Sequence, residues 1–153
     1  MKKTFFYTVI CLAMLIMACS KGEQGPAGNA NVYGSGYYNV NWLFDNNQNI
    51  YHTKIDVPQI TQDIVDNGLV QVFVLYGNEW WALPDLNGVN STIYGIGLGY
   101  VSLINSNSDL TVPSYPSNST FRVVVISSYY KKAMPQVNWK NYKEVKIALN
   151  LND

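Results

Sequence analysis

From Val32 onward the chain is written in short apolar runs, rich in Val, Ile, Tyr, Phe and Trp and cut repeatedly by Gly, Pro, Asn and Asp. Branched and aromatic side chains suit a pleated, half-buried surface, and the interruptions leave little room for long helices. The strongest run is 69–76. There Val70, Val72, Val74 and Tyr76 fall on one face of a strand and Leu69, Phe73 and Leu75 on the other. Apolar residues on both faces predict a central strand covered on both sides. Phe121, Val123, Val124, Val125 and Ile126 form a second run of this kind. Residues 37–44 and 50–57 flank the turn-forming Asp45, Asn46, Asn47, Gln48 and Asn49, and Gly77-Asn78 separates 69–76 from 79–83, so both read as hairpins.

Residues 91–104 read as two strands or one long bent one. Gly95, Gly97 and Gly99 fall on one side of a two-residue period, with Ile96, Leu98 and Tyr100 opposite. Such a stripe weakens a strand but permits close backbone approach. About seven strands with turn signals every ~8–12 residues predict a mainly β fold, a single β-sandwich over 32–153, Ig-like or jelly-roll-like, with one or two short helices. A partly open barrel is the alternative. One helix is expected within 58–68, where Ile60 and Ile64 are four apart and Gly68 stands at a helix stop. The tail is ambiguous. Trp139, Tyr142, Val145 and Leu149 follow helical spacing, while Val145, Ile147, Leu149 and Leu151 alternate as a strand would.

The first residues read as an address. Lys2 and Lys3 precede an uncharged apolar run from Thr4 to Ala18, and Cys19 follows. A run of about 15 residues is short for a spanning helix, which needs ~20, and fits a secretory signal. Ile16, Ala18 and Cys19 resemble a bacterial lipobox, with an aliphatic residue at −3, a small one at −1, and the Cys that carries lipid on the mature chain. Met17 at −2 departs from the usual pattern, and an ordinary signal peptide that happens to contain a Cys is the alternative. On this reading 1–18 is a lipoprotein signal peptide and 19–31 holds the lipidated Cys19 and a flexible tether. Cys11 is cut away and Cys19 is consumed by lipid, so the domain holds neither thiol nor disulfide. Two acyl chains or more anchor firmly where one does not. Residues 22–30 form three Gly-x-y triplets, too few for a triple helix alone and readable as a polar spacer.

The lipobox and Gly-x-y spacer, together with Ile60 to Gly68, Val72 to Tyr76, Trp80-Trp81-Ala82-Leu83-Pro84, the 121–126 run and Trp139 to Lys146, resemble small Bacteroidetes lipoproteins that carry a short collagen-like spacer. The resemblance covers most of the chain, and its motifs are structural rather than chemical. It implies a β-rich fold, a helix near 140–148, and a place in the cell envelope as an outer-membrane lipoprotein, facing either the periplasm or the surface. Lys21-Gly22-Glu23 places an acidic residue close after the lipid site, a hint toward the surface. Cys19, as the lipid site, is the one functional residue it carries over.

Charge and chemistry narrow the role. A hydrophobic fraction of 48% speaks against a disordered chain. Ten basic residues balance ten acidic ones, and removal of Lys2 and Lys3 leaves eight against ten. This is no electrostatic footprint for nucleic acid or anionic lipid. His52 is the single imidazole and has no nucleophile elbow beside it. The carboxylates are scattered, as a solvated surface requires. Residues 45–49 offer oxygen ligands of the kind Ca²⁺ takes, but lack the Gly and closing Glu of a calcium loop and read as a turn. Gly95, Gly97 and Gly99 have the wrong spacing for a phosphate or dinucleotide loop. Two glycosylation sequons, at Asn90 and Asn118, would stay bare in a bacterial lipoprotein. No catalytic residue, metal site or cofactor is expected.

The aromatics are the remaining lead. Trp80, Trp81, Tyr94, Tyr100, Tyr129 and Tyr130 are candidate ligand-binding residues, and adjacent pairs in a strand point to opposite faces, exposing one of each. Coverage of both sandwich faces, with hydroxyls at the rim, is the structural alternative. The expected protein is a lipid-anchored, non-enzymatic envelope module for binding or assembly, its partner a glycan or an envelope protein besides the membrane itself. Carbohydrate capture is the sharper version, and a two-carboxylate glycan hydrolase the remaining one.

Overall fold

The computed structural model describes the backbone of 32–34 and residues 37–116 and 119–151. The signal segment 1–18, lipidation of Cys19, the Gly-x-y tether 19–31 and the sequon residue Asn118 lie outside the described residues. Within them the apolar runs form ten strands: β1 (Val32–Gly34), β2 (Tyr38–Asn39), β3 (Leu43–Asp45), β4 (Ile50–Asp56), β5 (Leu69–Tyr76), β6 (Glu79–Ala82), β7 (Asp85–Asn87), β8 (Asn90–Gly97), β9 (Tyr100–Asn107) and β10 (Thr120–Ile126). Three short helices join them: α1 (Gln62–Asn67), α2 (Ser128–Ala133) and α3 (Tyr142–Leu149).

The strands build two antiparallel sheets, a β-sandwich. In the first, β1 and β2 follow one another along the same edge of β10, and β5 and β6 complete it. The second runs β3-β4-β9-β8-β7. The chain changes sheet between β6 and β7 through buried Leu83 and exposed Pro84, which are joined by a cis peptide bond. The anticipated hairpins are present as β3–β4 and β5–β6. Tyr76 pairs with Glu79 around Gly77 and Asn78, and Gly77 takes φ +60. A positive φ at the first of two loop residues is the geometry glycine supplies in hairpin turns.

Residues 91–104 resolve into two strands rather than one. Leu98 and Gly99 form the turn between β8 and β9, and Gly97 pairs with Tyr100. Tyr100 therefore lies on the same face as Gly97, not opposite it, because a two-residue turn resets the alternation. Its ring occupies the space a Cβ on Gly97 would fill.

Between the sheets lies the main core, built from Trp42, Ile55, Val57, Val70, Val72, Val74, Leu83, Val101, Leu103, Phe121, Val123 and Val125, with Ile60 from the approach to α1. The odd-numbered face of β5 and the even-numbered face of β10 look the other way. There Phe73, Val124 and Ile126 pack against Tyr142, Val145 and Leu149 of α3, with Tyr130, Met134, Val137 and Trp139 from α2 and the segment after it. The molecule is thus three layers deep over the first sheet: helices, sheet, sheet. This is why β5 and β10 are apolar on both faces. Burying these side chains is worth about 1.5–3 kcal/mol each before entropy is charged.

Candidate functional site

The turn of the β5–β6 hairpin, the edge strand β6 and the amino end of α3 enclose an open groove of about 840 Å³. Tyr37, Trp80, Trp81, Asn78, Glu79 and Tyr142 contribute to its walls, with Lys140, Lys143 and Lys146 along the helical side. Alternation along β6 aims Trp80 and Ala82 at the helical layer, where both join the outer core, and leaves Trp81 half-exposed at 52%. Tyr37, from the break between β1 and β2, is exposed to the same extent, 52%.

The aromatics support one another. Tyr37 stacks on Trp80 with ring centroids 5.5 Å apart and planes 12° from parallel. Trp80 meets Tyr142 at 5.3 Å, and Tyr142 meets Phe73 edge-on at 5.1 Å. Arg122, only 4% exposed, donates from Nη1 to the Tyr142 hydroxyl and stands 5.9 Å and 5.6 Å from the ring centroids of Tyr37 and Tyr142. Paired rings add about 0.5–1.5 kcal/mol beyond their burial, and a desolvated cation over a ring adds to this. Trp80 and Tyr142 are held by this stack and Tyr37 presents the open ring of this face, while Trp81, paired with Val74 of the inner core, exposes its ring on the opposite face of β6.

The helical side is set by a cap. Asn141 accepts the backbone N–H groups of Lys143 at 3.1 Å and Glu144 at 3.4 Å, and Glu144 answers by accepting from the Asn141 side chain at 3.0 Å. This reciprocal arrangement fixes the first turn of α3. Tyr142, Val145 and Leu149 face the sheet, and the exposed Lys140 and Lys143 are carried to the groove.

Of the residues anticipated from sequence, Trp80 and Trp81 both border the groove, Trp80 with its ring inside and Trp81 with its ring on the other face of β6, and the others lie elsewhere. Tyr94 is half-buried against the inner core, and its hydroxyl donates to the Val70 carbonyl at 2.9 Å. Burial pushes its phenol upward. Tyr100 covers Gly97 on the outer face of the second sheet, with the Lys54 ammonium 4.5 Å from its ring centroid. Tyr129 and Tyr130 lie on α2 rather than in a strand; Tyr129 is 68% exposed and Tyr130 packs into the outer core. His52 is a strand residue between Leu43 and Ile104. Asp45 closes its own turn by accepting from the backbone N–H of Asn47 at 2.8 Å, a bond that with those from Gln48 holds its carboxyl below the usual range. No group of three His, Cys, Asp or Glu among the described residues is arranged to hold a metal ion, and none of the described helices is long and apolar enough to cross a membrane.

Sequence reasoning missed Tyr37, Lys140, Lys143 and Lys146, and used Tyr142 solely for helix periodicity. One signal was available: Lys140, Lys143 and Lys146 recur every three residues, a spacing that places them on adjacent positions of a helix surface.

No protein-family model matches the chain, and comparison with curated proteins and with solved structures finds no match.

Proposed function

We propose that this chain is a lipid-anchored outer-membrane protein, held through Cys19, whose sandwich is a non-enzymatic binding module and whose groove receives a carbohydrate. One observation carries the reading: the half-exposed Tyr37 ring lies over a groove whose other rings, Trp80 and Tyr142, are locked by stacking and by Arg122. Large, rigid, amphipathic rings supply contact area at low entropy cost. The apolar C–H faces of a sugar lie on such rings, and Asn78 and Glu79 bring polar groups to the same groove. Glu79 is the one carboxylate among its described lining residues, whereas the hydrolytic alternative requires a pair about 5–9.5 Å apart. The lipobox and spacer support the envelope location.

Tryptophan fluorescence of the full chain in detergent micelles tests the proposal against a panel of neutral and acidic oligosaccharides. A saturable change with at least one sugar is expected, reduced about tenfold or more in affinity by Tyr37→Ala. A flat response across the panel, from a chain with its β spectrum intact, would remove the carbohydrate reading.

A further inference from the structure

The groove's charge narrows its ligand. Lys140, Lys143 and Lys146 line it against the single carboxylate of Glu79 among the described residues. The whole chain is balanced at ten basic and ten acidic residues, so this is a local excess and not a reflection of composition. Lys146 lies in the last turn of α3, where a cation suits the helix dipole, but Lys140 and Lys143 stand where the fold disfavours them. Lys140 immediately precedes the cap residue Asn141, and Lys143 lies in the first turn of α3, at the end of a helix dipole that prefers anions. The acidic residue of that turn is engaged elsewhere. Glu144 accepts from the Asn138 backbone N–H at 3.1 Å and from the Asn141 side chain at 3.0 Å, and it is not among the residues that line the groove. Two cations set against a helix's own polarity, beside the exposed Tyr37 ring, break a local rule without a structural gain, and such conflicts gather at functional sites.

We infer that the groove binds an acidic oligosaccharide, a sugar face on Tyr37 and its carboxylate or sulfate groups against Lys140 and Lys143. The inference rests on the carbohydrate reading above and names the class of sugar. A volume of about 840 Å³ lies in the range of small-molecule sites, room for a short oligosaccharide rather than a lone ion. The described lining contains lysines and no arginine. Anions are therefore met by flexible point charges, not by a fixed bidentate fork, and binding is screened by salt.

The full chain in detergent micelles is titrated by tryptophan fluorescence with a uronate oligosaccharide, a sulfated oligosaccharide, a neutral one of equal length, and a polyglutamate peptide. At low salt at least one acidic sugar is expected to bind about tenfold or more tighter than the neutral one, and to lose most of that advantage at molar salt. The Lys140→Gln, Lys143→Gln double variant is expected to lose most of the acidic sugar's advantage over the neutral one. Both lysines are exposed, so the variant is expected to fold, and circular dichroism checks this. Equal affinity for neutral and acidic sugars, unmoved by the lysine changes, overturns this inference and leaves the carbohydrate reading standing. Silence from every sugar overturns both. Polyglutamate binding as tight as that of the acidic sugars, and surviving Tyr37→Ala, overturns it in favour of an acidic protein partner.

Discussion

Gly68 follows α1 at a point where an added Cβ would lie 2.7 Å from the Ile126 carbonyl oxygen and 2.9 Å from that of Ile64. Its φ of −82 is open to any residue, so the demand is for space, not for backbone freedom. Both obstacles are main chain of packed elements. Gly68→Ala is expected to cost about 1–3 kcal/mol as overpacking, measured as a lower urea midpoint at unchanged slope. Gly97 offers the contrast, since its obstacle is the outer end of the Tyr100 ring, which can swing aside. Gly97→Ala should therefore cost less. Tyr76 is the residue at which pH acts. Its hydroxyl donates to Asp85 at 3.1 Å. Partial burial, then the Asp85 charge and that hydrogen bond, push the phenol from 10.0 up to about 12. A folded pKa raised above the unfolded one means that the associated stability is complete below the unfolded value and lost as pH rises through the folded one. Denaturant unfolding should thus show a fall in stability as pH climbs from 10.0 toward about 12, and Tyr76→Phe should flatten it. Superimposable alkaline curves for the two proteins would assign the fall to another group.

Among the elements, β5 and β10 were legible because both of their faces are apolar, and a strand with two apolar faces needs two covering layers. The tail was not legible by period alone. A strand would set Val145, Ile147 and Leu149 on one face; the helix buries Val145 and Leu149 and leaves Ile147 exposed. α2 escaped altogether, since Ser127 makes no side-chain cap bond and no residue of that helix is buried, so neither a stop signal nor an apolar stripe marks it. The groove was only half legible. It joins Tyr37, Trp80 and Tyr142 from distant parts of the chain, and the register that brings Tyr37 over Trp80 is a property of the sheet, not of any local run. The electrostatics of α3 yield two predictions. Asn141→Ala removes an acceptor for two N–H groups and should cost about 1 kcal/mol. Lys143→Glu exchanges a cation for an anion at the positive end of the helix and should stabilise by about 0.3–1 kcal/mol, while abolishing preference for acidic sugars. Loss of stability instead would mean that Lys143 serves the fold, and the electrostatic case for an anionic ligand would fall with it.

At the scale of the whole molecule the question is what holds the sandwich together and what holds it in place. Both cysteines, Cys11 and Cys19, precede residue 20, so no disulfide spans the two sheets. Cohesion must come from burial: one apolar layer between the sheets and another beneath the helices. Anchoring, on the proposed reading, is confined to Cys19 and to a tether over 19–31 that reaches about 45 Å at most when extended. The two jobs are then separable. Cys19→Ala is expected to abolish incorporation of labelled fatty acid and to move the chain from the detergent phase to the aqueous phase. Its thermal midpoint should match that of the parent, and a reducing agent should leave both midpoints where they were, because no described contact depends on a thiol. Continued fatty-acid labelling of Cys19→Ala would sink the lipid assignment. A midpoint lowered by reduction would show instead that a cysteine contributes to the folded state, and the separation of anchor from fold would fail.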